Sequence, residues 1–326
     1  MRYEDDILNN PLPISSQDTQ QLSIVRQLLE CRAKLKDSEI NNRLLHELVF
    51  KYSELEKKLQ TLNRELTVKQ ERIEQDLSAA ARIQRSLLPK RLDSLEGLDV
   101  AWKFKPCEKI GGDIFNLIQL DNDHWAIYII DVAGHGVSAA MVAVTVFQYL
   151  QPQGGNLVIR PSEFLKTQKI QRPARVLEFL DREYTFERFN NFFTMNYVVV
   201  NTKTGRLAAS SAGHPPPIIL RKDGTLELLK KGGRPIGTID LRLSDDEPIV
   251  FEEERAQIHP TDKLLLYTDG VYEYQNEQGE FYGNERFVNI RLVFRFLKIV
   301  RDTSQKICYK KKHECFSSKI TAIIHP

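Results

Sequence analysis

The sequence predicts an α+β sandwich preceded by one long helix. Three observations carry that expectation. Residues 17–88 contain no Gly or Pro and are dominated by Lys, Arg, Glu and Gln. After Pro89 the chain breaks into short β-rich runs separated by turn signals. Apolar or amphipathic stretches of helical length stand between those runs, so helices and hairpins share one layered domain. With 326 residues, 41% hydrophobic and 28% charged, the chain can bury a sizeable core, and wholesale disorder is excluded.

The helix comes first. Leu45, Leu48, Tyr52, Leu55, Leu59, Leu62 and Leu66 recur at alternating spacings of three and four, and Ile73 continues the row. That is a heptad seam with Leu48, Leu55 and Leu62 at d positions and Leu45, Leu59 and Leu66 at a. Lys69 and Asp76 fall on later d positions and weaken it. A helix polar on most faces needs a partner, so residues 45–73 are expected to pair two copies as a homodimer. The alternative is a helix lying along its own domain.

Strands are expected at Val100 to Phe104, Trp125 to Ile130, Phe193 to Val200, Pro217 to Leu220 and Lys263 to Tyr267. Turns at Lys203-Thr204-Gly205, Lys222-Asp223-Gly224 and Asn276 to Gly279 separate them. Ser138 to Tyr149 reads as a buried helix and Pro173 to Phe186 as an amphipathic one. The expected division is a flexible N-terminus over 1–16, a coiled-coil helix for dimerisation and signal input over 17–88, and a globular domain over 89–326. Its tail, 291–326, is atypical: nine Lys/Arg stand against two Asp/Glu between Arg291 and Lys319.

A net charge of +2 gives no global pull toward nucleic acid or membrane surfaces. Four scattered cysteines argue against a disulfide scaffold. The first residues do not read as a signal peptide, and no apolar run approaches a membrane span. A soluble, cytoplasmic protein without membrane insertion or nucleic-acid binding is expected.

Three aspartates stand out. Gly111-Gly112 precedes Asp113, the run Ile127 to Ile130 ends in Asp131, and Leu264 to Thr268 ends in Asp269-Gly270. A carboxylate just past a buried strand is fixed by the sheet and can face a cleft. Clustered aspartates suit hard cations such as Mg²⁺ or Mn²⁺. One Asp-Gly pair would be read as a turn; three at strand ends shift the balance toward metal.

Those residues sit inside longer motifs. Ala81 to Pro89 (Ala-Arg-Ile-Gln-Arg-Ser-Leu-Leu-Pro), Gly111-Gly112-Asp113, Asp131 to Ala140, Ser211 to Pro217, Gly233 to Gly237 and Tyr267 to Val271 occur in that order. Together they resemble the bacterial PPM-type (protein phosphatase 2C-like) serine phosphatases, in the branch of stage II sporulation protein E and the sigma-factor regulators. The resemblance covers roughly residues 80–287. It implies an αββα sandwich of two antiparallel sheets flanked by helices, with two Mn²⁺ or Mg²⁺ ions between the sheets. It also implies hydrolysis of phosphoserine or phosphothreonine on an anti-sigma-factor antagonist by metal-activated water. Carried over motif by motif, Asp131 would touch both ions, Asp113 would complete the cluster, the Val132 carbonyl would serve one ion, and Asp269 would hold the other. Gly112, Gly134, Gly136 and Gly270 would let backbone approach the ions or the phosphate. His135 is expected beside them in a structural or supporting role, and His214, before three prolines, either borders the cleft or merely shapes a turn.

The last motif departs from the family. Where two aspartates are usual, the chain has Ser318 and Lys319, followed by Ile320-Thr321 and an apolar strand. Protonated Lys cannot ligate, so the second ion is either lost or replaced by a fixed cation, unless the tail aligns differently. An alternative reading follows: a pseudo-phosphatase that binds a phosphoprotein without turnover. Cys308, His313 and Cys315 lack an obvious fourth zinc ligand, and Lys310 to Lys312 read as a solvated face.

Overall fold

The computed structural model describes residues 23–27, 39–89, 98–106, 109–152, 157–161, 168–238, 250–273, 275–276, 278–287 and 319–325. Two compact units divide the chain, Met1–Glu74 and Gln75–Pro326. One helix, α1 (Glu39–Leu87), is 49 residues long. Good helix formers fill it, and it stops where Pro89 restricts the preceding residue. Among the described residues no helix is long and apolar enough to cross a membrane.

In the first unit the predicted seam lies along α1. Leu48, Leu55, Leu59, Leu62, Leu66 and Ile73 are all exposed in the single chain. The last turns of α1 belong to the second unit. There Leu77, Ala80 and Ala81 pack with Ile110 and Ala140, and Leu88 enters the main core.

The second unit holds two large sheets. The first is built from β1 (Asp99–Lys105), β8 (Ile218–Leu220), β9 (Leu226–Leu228), β12 (Lys263–Tyr267) and β13 (Lys319–His325), in the order β1-β13-β12-β8-β9. The second orders β10 (Gly232–Gly233), β7 (Arg206–Ala212), β6 (Phe193–Asn201), β3 (His124–Val132) and β2 (Ile114–Gln119), with β11 (Glu254–Gln257) also on β7. Among the described strands pairing is antiparallel except for the two residues of β10, which run parallel to β7. A separate hairpin joins β4 (Ile159–Pro161) and β5 (Gln168–Ile170).

Side-chain alternation explains the layers. Leu264 and Leu266 of β12 join Phe115, Ile127 and Ile129 in the main core, whereas Leu265 and Tyr267 join Ile218, Leu220, Val271 and Phe287 in a second cluster. Strand β12 is therefore buried on both faces, which is why it reads as a continuous apolar run. Trp102 of β1 meets Phe115 of β2 with ring centroids 5.1 Å apart, so the two sheets face each other. Helices α2 (Gly136–Tyr149) and α3 (Pro173–Glu183) pack on the second sheet. The helix expected to reach Phe186 ends at Glu183. Tyr184 leaves it to pack edge-on against Phe193, and a short α4 (Phe186–Phe189) follows.

Candidate active site

The antiparallel register of β2 and β3 pairs Ile114 with Ile130, so Asp113 and Asp131 stand one step further along the same two strands. Their approach depends on Gly112. A Cβ there would lie 2.5 Å from the Val132 carbonyl oxygen, closer than real atoms come, and 3.0 Å from Val132 Cβ. Asp131 in turn pairs with Thr194 of β6. Asp269 arrives from the opposite sheet as the first residue of a 3-10 turn, Asp269–Val271, directly after β12.

The three carboxylates meet. Asp131 is in side-chain hydrogen-bonding contact with both Asp113 and Asp269. Burial, then the charges of Asp113 and Asp269, push the Asp131 carboxyl well above the ordinary carboxylate range. Burial likewise pushes Asp113 up to about 7, although hydrogen bonds from Asp131 and Thr268 oppose the shift. Asp269 is raised by burial and partly relieved by the Gly270 N–H and by Asp131. The negative field reaches neighbours: Tyr272 is pushed up to about 12 by burial and by the charges of Asp269, Glu273 and Asp131.

Three carboxylates this close cannot all stay ionised without a compensating charge. Among the described residues no Lys or Arg contributes to their shifts. Shared protons are one remedy, and a hard divalent cation is the other. The donor set fits such a cation: it is all oxygen, and the Val132 carbonyl sits at the edge that Gly112 leaves open. Among the described residues no three His, Cys, Asp or Glu stand, as they are placed, as a group that could hold a metal ion.

The remaining predicted residues fall around this cluster. Gly134 and Gly136 take left-handed backbone angles, φ 88° and 79°, on either side of an extended His135, and α2 starts at Gly136. The His135 ring is exposed and Gly270 is buried. His214 is buried, and its ring bridges the two sheets. Its Nε2 donates to the Tyr267 carbonyl at 3.1 Å, which leaves Nδ1 to accept from the Thr194 hydroxyl at 2.7 Å. His214 therefore ties the strand beside Asp131 to the strand that carries Asp269. Ser318, Cys308, His313, Cys315 and Lys310 to Lys312 lie outside the described residues. Lys319 heads β13, whose register with β12 ends at Tyr267 opposite Thr321, two residues short of Asp269.

Two supporting residues escape sequence reasoning. Thr268, fully buried, donates its hydroxyl to Asp113 Oδ2 at 3.1 Å. Gln84, buried near the end of α1, grips Gly111 twice: Nε2 donates to the Gly111 carbonyl at 2.6 Å, and Oε1 accepts from the Gly111 N–H at 3.3 Å. Leu77, Ala80, Ala81, Gln84 and Leu88 follow one helical face, the one available hint.

The chain is similar to several known proteins. The family model for stage II sporulation protein E (SpoIIE) matches residues 121–309. Phosphoserine phosphatase RsbP of Bacillus subtilis is 26% identical over 201 residues, 60% of this chain and 45% of RsbP. Phosphoserine phosphatase RsbU of the same organism is 27% identical over 212 residues, 64% of this chain and 57% of RsbU. Protein IcfG of Synechocystis is 26% identical over 229 residues, covering 35% of its length. The chain thus spans between about a third and somewhat over half of these relatives. Among solved structures, the SiaA-PP2C domain of Pseudomonas aeruginosa superposes with a TM-score of 0.57 at 22% identity, over 78% of this chain and 97% of that domain. That likeness is one of fold.

Proposed function

The chain belongs to the stage II sporulation protein E family, and on that premise we propose that it is a metal-dependent protein serine/threonine phosphatase. The observation that carries the reading is the convergence of Asp113, Asp131 and Asp269 from two facing sheets into one over-charged cluster. Mn²⁺ or Mg²⁺ would be held by Asp113, Asp131 and the Val132 carbonyl on one side and by Asp131 and Asp269 on the other. Bound there, such ions supply an activated water and neutralise phosphate oxygens.

The chain's own residues do the rest. Asp131, in contact with both other carboxylates, is the shared anchor. Thr268 and His214 fix the strand ends, so the cluster is pre-organised before substrate arrives. Gly134 and Gly136 keep the loop before α2 free of side chains that would bar a phosphoseryl group. No protein nucleophile is needed. A phosphorylated regulatory protein of the anti-sigma-factor-antagonist type is the substrate class, as expected for a relative of two phosphoserine phosphatases. Residues 45–73 pair two copies in the cytoplasm and pass a signal to the domain.

A second reading is favoured by one feature. Ser318 and Lys319 stand where the family pattern has carboxylates, so one ion in place of two, and a phosphoprotein-binding pseudo-phosphatase, is the competing account. Hydrolysis of p-nitrophenyl phosphate and of a phosphoserine protein, each with and without Mn²⁺, separates the two. Metal-dependent turnover supports the phosphatase. Phosphoprotein binding without turnover on either substrate supports the second reading.

A further inference from the structure

Far from the aspartates, a groove of about 430 Å³ opens between the start of α3, the β6–β7 turn and β11. That volume lies in the range of small-ligand sites. Its floor is apolar, with Val199 and Leu207, and its walls carry Arg172, Arg206 and Arg255. Among the described residues that line the groove the one carboxylate is Glu253, and its side chain is only 3% exposed.

The way Glu253 is paired matters. Its Oε2 accepts from Arg172 Nε at 3.3 Å and its Oε1 from Arg255 Nε at 3.2 Å. Each guanidinium meets the buried carboxylate through its Nε, so its terminal nitrogens are not used in that contact. Among the described residues neither makes an ion pair with a second carboxylate. Three guanidiniums around one carboxylate leave two positive charges in excess. Arginine forks of this kind match the oxygens of phosphate or carboxylate, and a buried carboxylate that fixes their orientation lowers the cost of ordering them.

We propose that this groove is a binding site for a small organic oxyanion, a phosphomonoester or carboxylate with an apolar body. The charged end sits between Arg172, Arg206 and Arg255, and the body covers Val199 and Leu207. The site is separate from the aspartate cluster. His124, which lines the groove, opens β3, and Asp131 lies seven residues along the same strand, about 23 Å away at the usual rise.

Calorimetric titration of the metal-free full chain with hexyl phosphate and with inorganic phosphate tests this. Hexyl phosphate should bind at least tenfold more tightly than inorganic phosphate. The double change Arg172→Gln with Arg255→Gln should abolish binding. Because that change strips partners from a buried carboxylate and could unfold the chain, Arg206→Glu provides a second arm: among the described residues Arg206 pairs with no acid, and the change should weaken hexyl phosphate at least fivefold. Asp131→Ala should bind hexyl phosphate as the wild type does. No detectable binding, equal affinity for the two phosphates, unchanged affinity in Arg206→Glu, or a loss that follows Asp131→Ala would each overturn the proposal.

Discussion

Thr268 donates its hydroxyl hydrogen to Asp113 Oδ2 at 3.1 Å, across 155 positions of sequence and from one sheet to the other. With the Thr194–His214–Tyr267 chain beside it, this bond fixes how closely the two sheets' acidic ends approach. The carboxylate cluster is thus a property of the sandwich as a whole, and its supports are as testable as its ligands.

Gln84 is one such support. Replacing it with Ala leaves the Gly111 N–H and carbonyl, both in a buried setting, without their partner. The expected cost is about 2 kcal/mol in denaturant unfolding. Mn²⁺ affinity should also fall, because Asp113 is two residues from the released glycine. Unchanged stability and affinity would show that α1 does not hold this loop.

His214 gives a pH prediction. Burial lowers its pKa to about 3, with the Tyr267 carbonyl bond opposing. A lowered folded-state value means that the unfolded chain takes up the proton first. This group's contribution to stability is therefore complete above about pH 6.5 and is lost as pH falls toward 3. Between pH 7.5 and pH 5 the wild type should lose about 2 kcal/mol more than His214→Gln, measured by denaturant midpoints. Parallel pH profiles of the two proteins would contradict the buried, neutral assignment.

Lys319 begins the strand beside β12. If it stands where a ligand carboxylate belongs, Lys319→Asp should tighten Mn²⁺ binding at least tenfold and raise turnover, because it replaces a repelling ammonium with a hard oxygen donor. A variant indistinguishable from wild type in both would place the tail away from the metal.

The exposed seam of α1 makes its own demand. Leu55 and Leu62 are 64% and 53% exposed in the single chain, yet each leucine gains about 1.5–3 kcal/mol on full burial. Leu55→Glu with Leu62→Glu should convert a dimer to monomers in sedimentation and lower the phosphatase rate. A double variant that stays dimeric, or becomes monomeric with unchanged kinetics, removes the helix from the regulatory account.

Much of this was legible in the sequence where burial is two-sided or periodic. Lys263–Tyr267 reads as a strand because both of its faces are apolar, and the heptads of α1 announce a helix. Asp131 and Asp269 were visible because each closes an apolar run, and Asp113 because it follows Gly111-Gly112 directly before one. Strand β7, by contrast, reads Arg-Leu-Ala-Ala-Ser-Ser-Ala, residues with little intrinsic strand preference, and is made a strand by its neighbours β6 and β11. Strand β11, Glu-Arg-Ala-Gln, carries no apolar alternation at all. Thr268 and Gln84 could not be found from local pattern, because their partners lie 155 and 27 residues away. His214 needed the fold as well: nothing in Gly-His-Pro-Pro-Pro says that the ring spans two sheets.

In the proposed enzyme Asp113, Asp131 and Asp269 together hold a hard divalent cation. Calorimetric titration of Mn²⁺ into the wild type and into Asp131→Ala tests it most directly, run near pH 6 in two buffers of different ionisation enthalpy. Because all three carboxyls are raised above their ordinary values, the wild type should release protons as the ion binds, and Asp131→Ala should lose at least a hundredfold in affinity. Tight Mn²⁺ binding by a folded Asp131→Ala chain, with the same stoichiometry and proton release as the wild type, would contradict the assignment.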